Sequence, residues 1–208
     1  MSNQARPRRT QPASPMLAAL RDGTREHHRA LERQLDLPGR IRTRTDLGAV
    51  LAAMLASWAP LEQALAAADW SGLPLAARLG EAAALLRADL AALGVDPARP
   101  SGGYGVRFDT TDRAVGGRYV LLGSALGGSV IAPAVERRLD LTEGAATRFF
   151  RRTGRAPGRD WRDFRLALAG RDWSPAELRA AAEAARQTFA FVGRAAAPIL
   201  GGRADRVA

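Results

Sequence analysis

Apolar residues recur every three to four positions along most of the chain, which is the spacing of helices that bury one face. Proline, glycine and capping residues interrupt this pattern and set the element boundaries. The predicted helices cover residues 16–35, 45–68, 74–93, 112–139, a short segment of 141–154 that begins with a Thr142 cap, 161–170 and 174–199. A Gly/Pro-rich loop is expected at 99–110. The pattern therefore predicts an all-α, single-domain helical bundle.

The chain has 208 residues, enough for one domain with a real core. Alanine and leucine are abundant and aromatic residues make up 6%, which also favours helices. We expect a disordered Arg/Pro-rich tail at 1–15, the helical domain at 16–200 and a flexible tail at 201–208.

Charge and cysteine content limit the classes of function. The chain has 31 basic residues, all arginine, and 21 acidic residues, giving a net charge of +10 that favours an acidic partner. The absence of cysteine excludes disulfides, thiolate metal sites and cysteine nucleophiles. We find no apolar run that reaches the roughly 18 residues of a membrane span and no secretory signal, so we expect a cytoplasmic protein without a membrane partner.

The segment "YVLLGSALGGSVIAP", residues 119–133, is an apolar helix interrupted by glycine. It carries no charge before its proline, which predicts burial on all sides. At 100° per residue, one arc carries only small side chains: Gly123, Ser124, Gly127 and Gly128. Leu122, Leu126 and Val130 are predicted on the opposite side. The small arc fits close helix packing or a large flat ligand lying across the bare backbone, and the missing GxGxxG order argues against a dinucleotide.

The chain's two histidines, His27 and His28, are adjacent in "LRDGTREHHRALE". They lie on opposite flanks of the helix's apolar face, so periodicity does not choose between them. Either one is sufficient as the axial ligand of a haem.

These two segments resemble a known family. "LRDGTREHHRALE" is similar to the proximal helix of haem oxygenases, and "YVLLGSALGGSVI" is similar to their glycine-rich distal helix. "WRDFRLALAGRDWSPAELRAAAEAARQTFAF" resembles the C-terminal helices of the family. The resemblance implies a haem-oxygenase-like fold with haem sandwiched between a proximal and a distal helix.

The resemblance also implies roles for individual residues. It makes His28 the proximal iron ligand and places the backbone of Gly123, Gly127 and Gly128 over the iron. Residues expected to contact the haem propionates are Arg21, Arg165 and Tyr119. Ser124 stands where animal members carry an aspartate that organises distal water, and Arg118 or a neighbouring arginine is a candidate replacement.

The implied reaction is oxidative cleavage of haem to biliverdin, carbon monoxide and ferrous iron. Haem is then both substrate and cofactor, and the partners are O2 and an electron donor such as a ferredoxin or reductase. The bacterial members that the chain resembles include those supplying biliverdin to bacteriophytochromes.

Two alternatives remain open from the sequence. One is a relative that binds haem for storage or sensing without degrading it. The other, of a different class, is a basic nucleic-acid-binding protein, because "RFFRRTGRAPGRDWRDFR" interleaves arginines with aromatic residues that could stack on bases.

Overall fold

The computed structural model describes residues 14–73, 81–96, 106–152 and 159–201. These ranges contain six α-helices and no strand, which confirms the predicted all-α class. The helices are α1 (Pro15–Leu35), α2 (Arg44–Ala66), α3 (Ala82–Ala92), α4 (Thr111–Leu139), α5 (Arg159–Ala169) and α6 (Pro175–Gly201). The expected tails at 1–13 and 202–208, the start of the third predicted helix at 74–80 and the loop at 99–105 lie outside the described residues.

Local signals in the sequence account for several helix ends. Thr43 and Asp46 form a reciprocal capping box at the start of α2, and Ser174 and Glu177 exchange similar hydrogen bonds at the start of α6. The helices α1 and α4 end at aspartates in the left-handed conformation, Asp36 with φ 48° and Asp140 with φ 49°.

The last helix, α6, is the centre of the bundle and packs against α1, α2 and α4. The contact between α4 and α6 is a backbone contact, because a Cβ on Gly116 would lie 2.9 Å from the Ala185 nitrogen and 3.0 Å from Ala184 Cβ. α3 lies on α2, and α5 packs against α1 and α4. The helices that carry the two motifs, α1 and α4, therefore both pack against α6.

The short helix expected after Thr142 is not formed. Residues 143–152 make consecutive turns, and Ala146 adopts a φ of 59° that a helix does not accommodate. The reason is tertiary: the buried carboxylate of Asp89 accepts the backbone N–H groups of Arg148 and Phe149, at 3.1 and 2.8 Å. This turn segment packs Phe149 and Phe150 into the core.

Two helices, α2 and α4, are long and apolar enough to cross a membrane by length and composition alone, a criterion that core helices also meet. In α2, Leu47, Leu51 and Leu61 are fully buried, so packing accounts for its composition. In α4 the expected burial on all sides is wrong, because Val130 is 69% exposed and Gly127 is exposed. One side of α4 borders an open cavity.

Candidate functional site

A cavity of about 560 Å³ lies between α1 and α4. Its size is within the range of pockets that hold small molecules and cofactors. The walls are mainly apolar, with His28 and Glu32 as the only charged or titratable groups apart from Tyr119 among the described lining residues. Besides residues of α1 and α4, the lining includes Leu37, Pro38, Met54, Trp58, Phe149, Phe150, Trp161 and Phe189.

The cavity distinguishes the two histidines, because His28 lines it and His27 does not. His28 Nδ1 lies 3.2 Å from Glu32 Oε2, one helical turn later, and the imidazole meets the Phe189 ring edge-on at 5.7 Å. A proton on Nδ1 facing this carboxylate leaves the Nε2 lone pair available for a ligand. Within the described ranges, no group of three or more His, Asp or Glu side chains could hold a metal ion.

The glycines of α4 fall into two groups. A Cβ on Gly123 or Gly127 would meet nothing within 4 Å, and both residues line the cavity. A Cβ on Gly128 would instead collide with the backbone of Phe150 in the turn segment. Gly123 and Gly127 therefore form a bare cavity wall, whereas Gly128 permits close packing.

The helical projection placed two apolar residues of α4 wrongly. Leu126 and Val130 line the cavity together with the glycines, rather than pointing away from them. The positions i, i+4 and i+7 from Gly123 lie within one narrow arc, so Val130 shares a face with Gly123 and Gly127.

Ser124 also lines the cavity and belongs to a polar cluster that the sequence did not identify. Its hydroxyl donates to the Leu121 carbonyl at 2.7 Å and accepts from Arg152 at 2.7 Å. Burial lowers the pKa of the Arg152 guanidinium to about 10, against a smaller opposing effect of Glu62. Arg118, which the sequence put forward for this role, is buried over the Trp70 ring and does not line the cavity.

Of the three residues expected to contact the haem propionates, only one lines the cavity. Tyr119 lines the cavity, and the centroid of its ring lies 5.7 Å from that of the Trp161 ring. Arg21 and Arg165 are not lining residues. Helical spacing puts Arg21 on the same side of α1 as His28, seven residues later, and Arg165 on the same side of α5 as Trp161, four residues earlier.

The aromatic residues of the basic stretch 148–165 are not available for stacking on bases. Phe149, Phe150 and Phe164 are each at most 2% exposed, and Trp161 lines the cavity. Residues 153–158 of this stretch lie outside the described residues. The packing of these rings removes the main support for the nucleic-acid alternative.

Fold and site together define an all-α protein with an apolar cavity between a histidine-bearing helix and a glycine-bearing helix. Residues 106–196 match the haem oxygenase family model. The fold is similar to that of the haem oxygenase from Neisseria meningitidis solved with bound NO and CO, with a TM-score of 0.76 at 19% identity over 93% of this chain and 96% of that chain. No curated protein sequence matches the chain significantly. The family model thus covers the part of the chain from just before α4 into α6, and the structural match shows that the chain has the fold of a haem oxygenase.

Proposed function

We propose that the protein is a haem oxygenase that cleaves haem to biliverdin, carbon monoxide and ferrous iron, using O2 and electrons from an external donor. The observation that carries this proposal is the juxtaposition of His28 with the bare backbone of Gly123 and Gly127 across one apolar cavity. Haem is a flat apolar molecule with one iron to ligate, and these residues fit it. When bound, haem supplies the oxygen chemistry and is itself the substrate.

His28 is the proposed proximal iron ligand. Its Nδ1 side is occupied by Glu32, which fixes the ring orientation and presents Nε2 for ligation. The edge-on contact with Phe189 restricts the ring further. A neutral imidazole ligand suits oxygen binding without the electron push of a thiolate.

Gly123 and Gly127 are the proposed distal wall. Because they carry no side chain, their backbone would allow a flat macrocycle to approach α4 closely and would leave only limited space for a second ligand. They offer no side-chain acid at this place. The wall therefore directs the reaction by shape, and positioning of this kind is a large part of enzymatic selectivity. Gly128 contributes indirectly, by letting α4 pack on the turn segment.

Arg21, Arg165 and Tyr119 are proposed to hold the propionates. Arginine suits this role because its guanidinium pairs with a carboxylate through two hydrogen bonds. Tyr119 lines the cavity, which supports its part of the assignment, and the spacing of Arg21 from His28 and of Arg165 from Trp161 supports the other two. Residues that hold the propionates would set the orientation of haem in the cavity, and hence which meso carbon is exposed to oxidation.

The proposed partners follow from the reaction and the charge. A net charge of +10 favours docking of an acidic electron donor such as a ferredoxin or its reductase. Biliverdin would pass to an acceptor such as a bacteriophytochrome in the cytoplasm.

The test is to titrate purified protein with hemin and then supply O2 with ascorbate or a reductase. A Soret band that appears and is then replaced by biliverdin absorption is the expected result. The absence of a Soret band would overturn the proposal. A band that persists through reduction would leave only the alternative of a non-catalytic haem-binding protein.

A matched pair of variants tests the ligand. His28→Ala should abolish normal iron ligation and reduce turnover by about a hundredfold or more, whereas His27→Ala should retain both. The electronic spectrum of the ferric complex reports the ligand directly. The reverse outcome would assign ligation to His27.

A further inference from the structure

An arginine lies behind the cavity wall without touching the cavity. Arg152, in the turn segment 143–152, donates to the Phe149 carbonyl at 2.9 Å and to the Ser124 hydroxyl at 2.7 Å. Its guanidinium also stacks 4.1 Å from the centroid of the Phe149 ring. No carboxylate of the described chain lies within 4 Å of it, so its charge is not neutralised by a direct ion pair.

The position of this charge determines what Ser124 can do. Arg152 occupies one lone pair of the Ser124 oxygen, and the dipole of a hydroxyl beside a cation points its hydrogen away from the cation. That hydrogen now contacts the Leu121 carbonyl, which also accepts from α4 itself and from Arg152 at 3.5 Å. If the Ser124 hydroxyl rotates toward the cavity, the Leu121 carbonyl therefore still accepts hydrogen bonds from the α4 backbone and from Arg152.

We infer that Arg152 is a positioning residue that acts through Ser124 and turns this hydroxyl into a charge-assisted hydrogen-bond donor for anionic ligands at the distal side of the cavity. The inference rests on the proposed function, because it assigns the distal side to Ser124. It also places a polar donor at one edge of a wall otherwise made of glycine backbone and apolar side chains.

Azide binding to the ferric haem-loaded protein tests the donor. Arg152→Met keeps the length of the side chain and removes its charge, and should weaken azide binding by about tenfold, the effect of a partly screened unit charge. Arg152→Lys should retain most of the affinity. Carbon monoxide binding to the ferrous protein should change by less than about twofold, because the ligand is neutral. The absorption spectrum gives both affinities.

Two further variants complete the experiment. Arg137→Met removes an exposed arginine of the same helix as Ser124 and should leave azide affinity unchanged, which controls for net charge. Ser124→Ala removes the hydroxyl and should weaken azide about threefold or more. If Arg152→Met does not fold, Ser124→Ala and Arg152→Lys decide the question.

The outcomes separate this inference from the proposed function. A wild-type protein without a Soret band would overturn both. Normal haem binding with azide affinity unchanged in Arg152→Met or in Ser124→Ala would overturn the inference alone. Equal weakening of azide and carbon monoxide would also overturn it, because a collapsed cavity does not distinguish charge.

Discussion

At the scale of single residues, the glycines of α4 show that one residue type serves two purposes within six positions. Gly123 and Gly127 border open space, so a methyl group is sterically tolerated there in the absence of a ligand. Gly128 borders the Phe150 backbone, so a methyl group is not tolerated. The two kinds of glycine are separable by experiment because they act in different states of the protein.

Alanine at Gly127 and at Gly128 should have opposite effects on the haem-free protein. Gly127→Ala should raise the free energy of unfolding by up to about 1 kcal/mol, because alanine is the better helix former. Gly128→Ala should lower it by about 1–3 kcal/mol through the clash with Phe150. Urea unfolding measures both changes.

Haem affinity completes the comparison. Gly127→Leu should fold and bind hemin weakly, since the leucine side chain fills the space over the cavity. If Gly127→Ala and Gly128→Ala destabilise the haem-free protein equally, the division between wall and packing glycines is wrong.

The residues of the site could be predicted from the sequence only in part. Motif resemblance selected His28 and the glycines, and the cavity brings His28, Gly123, Ser124, Gly127 and Tyr119 together. Periodicity could not choose His28, because both histidines flank the apolar face.

The role of Arg152 was not predictable in this way. Its environment is made by Ser124, 28 positions earlier, and by the ring of Phe149. In the sequence it is one arginine among many in a basic stretch, and only tertiary packing distinguishes it.

At the scale of elements, the helices with their own caps and apolar stripes were predictable from the sequence. The turn segment was not, because its backbone donors are bound by carboxylates far away in the chain. Asp89 of α3 binds one end, and Glu136 near the end of α4 binds Gly144 N–H at 3.0 Å and Arg151 Nε at 2.7 Å. Helix propensity does not detect such partners.

The Glu136 anchor predicts a specific response to pH. Hydrogen bonds from Arg151, with smaller contributions from Thr147 and Gly144, lower the pKa of the Glu136 carboxyl from 4.5 to about 2 despite its burial. A carboxyl whose pKa is lower in the folded state stabilises the fold above its unfolded pKa, and this contribution is lost as the pH falls from about 4.5 toward 2. The turn segment should therefore loosen in acid.

Glu136→Gln isolates this contribution. The variant should be less stable than wild type by about 2 kcal/mol at pH 7, the scale of charge-assisted hydrogen bonds, and by clearly less at pH 3. Glu143→Gln is the control, since its carboxylate also pairs with Arg151 but its side chain is 81% exposed. Thermal unfolding at both pH values measures the stabilities. An equal difference in stability between wild type and Glu136→Gln at pH 7 and pH 3 would contradict the lowered pKa of Glu136.

At the scale of the whole molecule, the excess of arginine is not found in the lining of the cavity. The described lining contains no arginine, so the net charge of +10 acts mainly on what approaches from outside. Long-range attraction of this kind raises association rates and is screened over about 10 Å at 0.1 M salt. The association rate of an acidic electron donor should therefore be raised most, and should depend most strongly on salt.

Stopped-flow reduction of the ferric haem-loaded protein by a pre-reduced acidic ferredoxin measures this steering. The second-order rate constant should fall by about fivefold or more between 20 mM and 300 mM salt, because ions screen the attraction between the partners. A small uncharged reductant provides the control, and its rate should change by less than about twofold over the same range. Equal salt dependence for the two reductants would mean that the net positive charge does not steer the ferredoxin. The charge would then act on a different acidic partner.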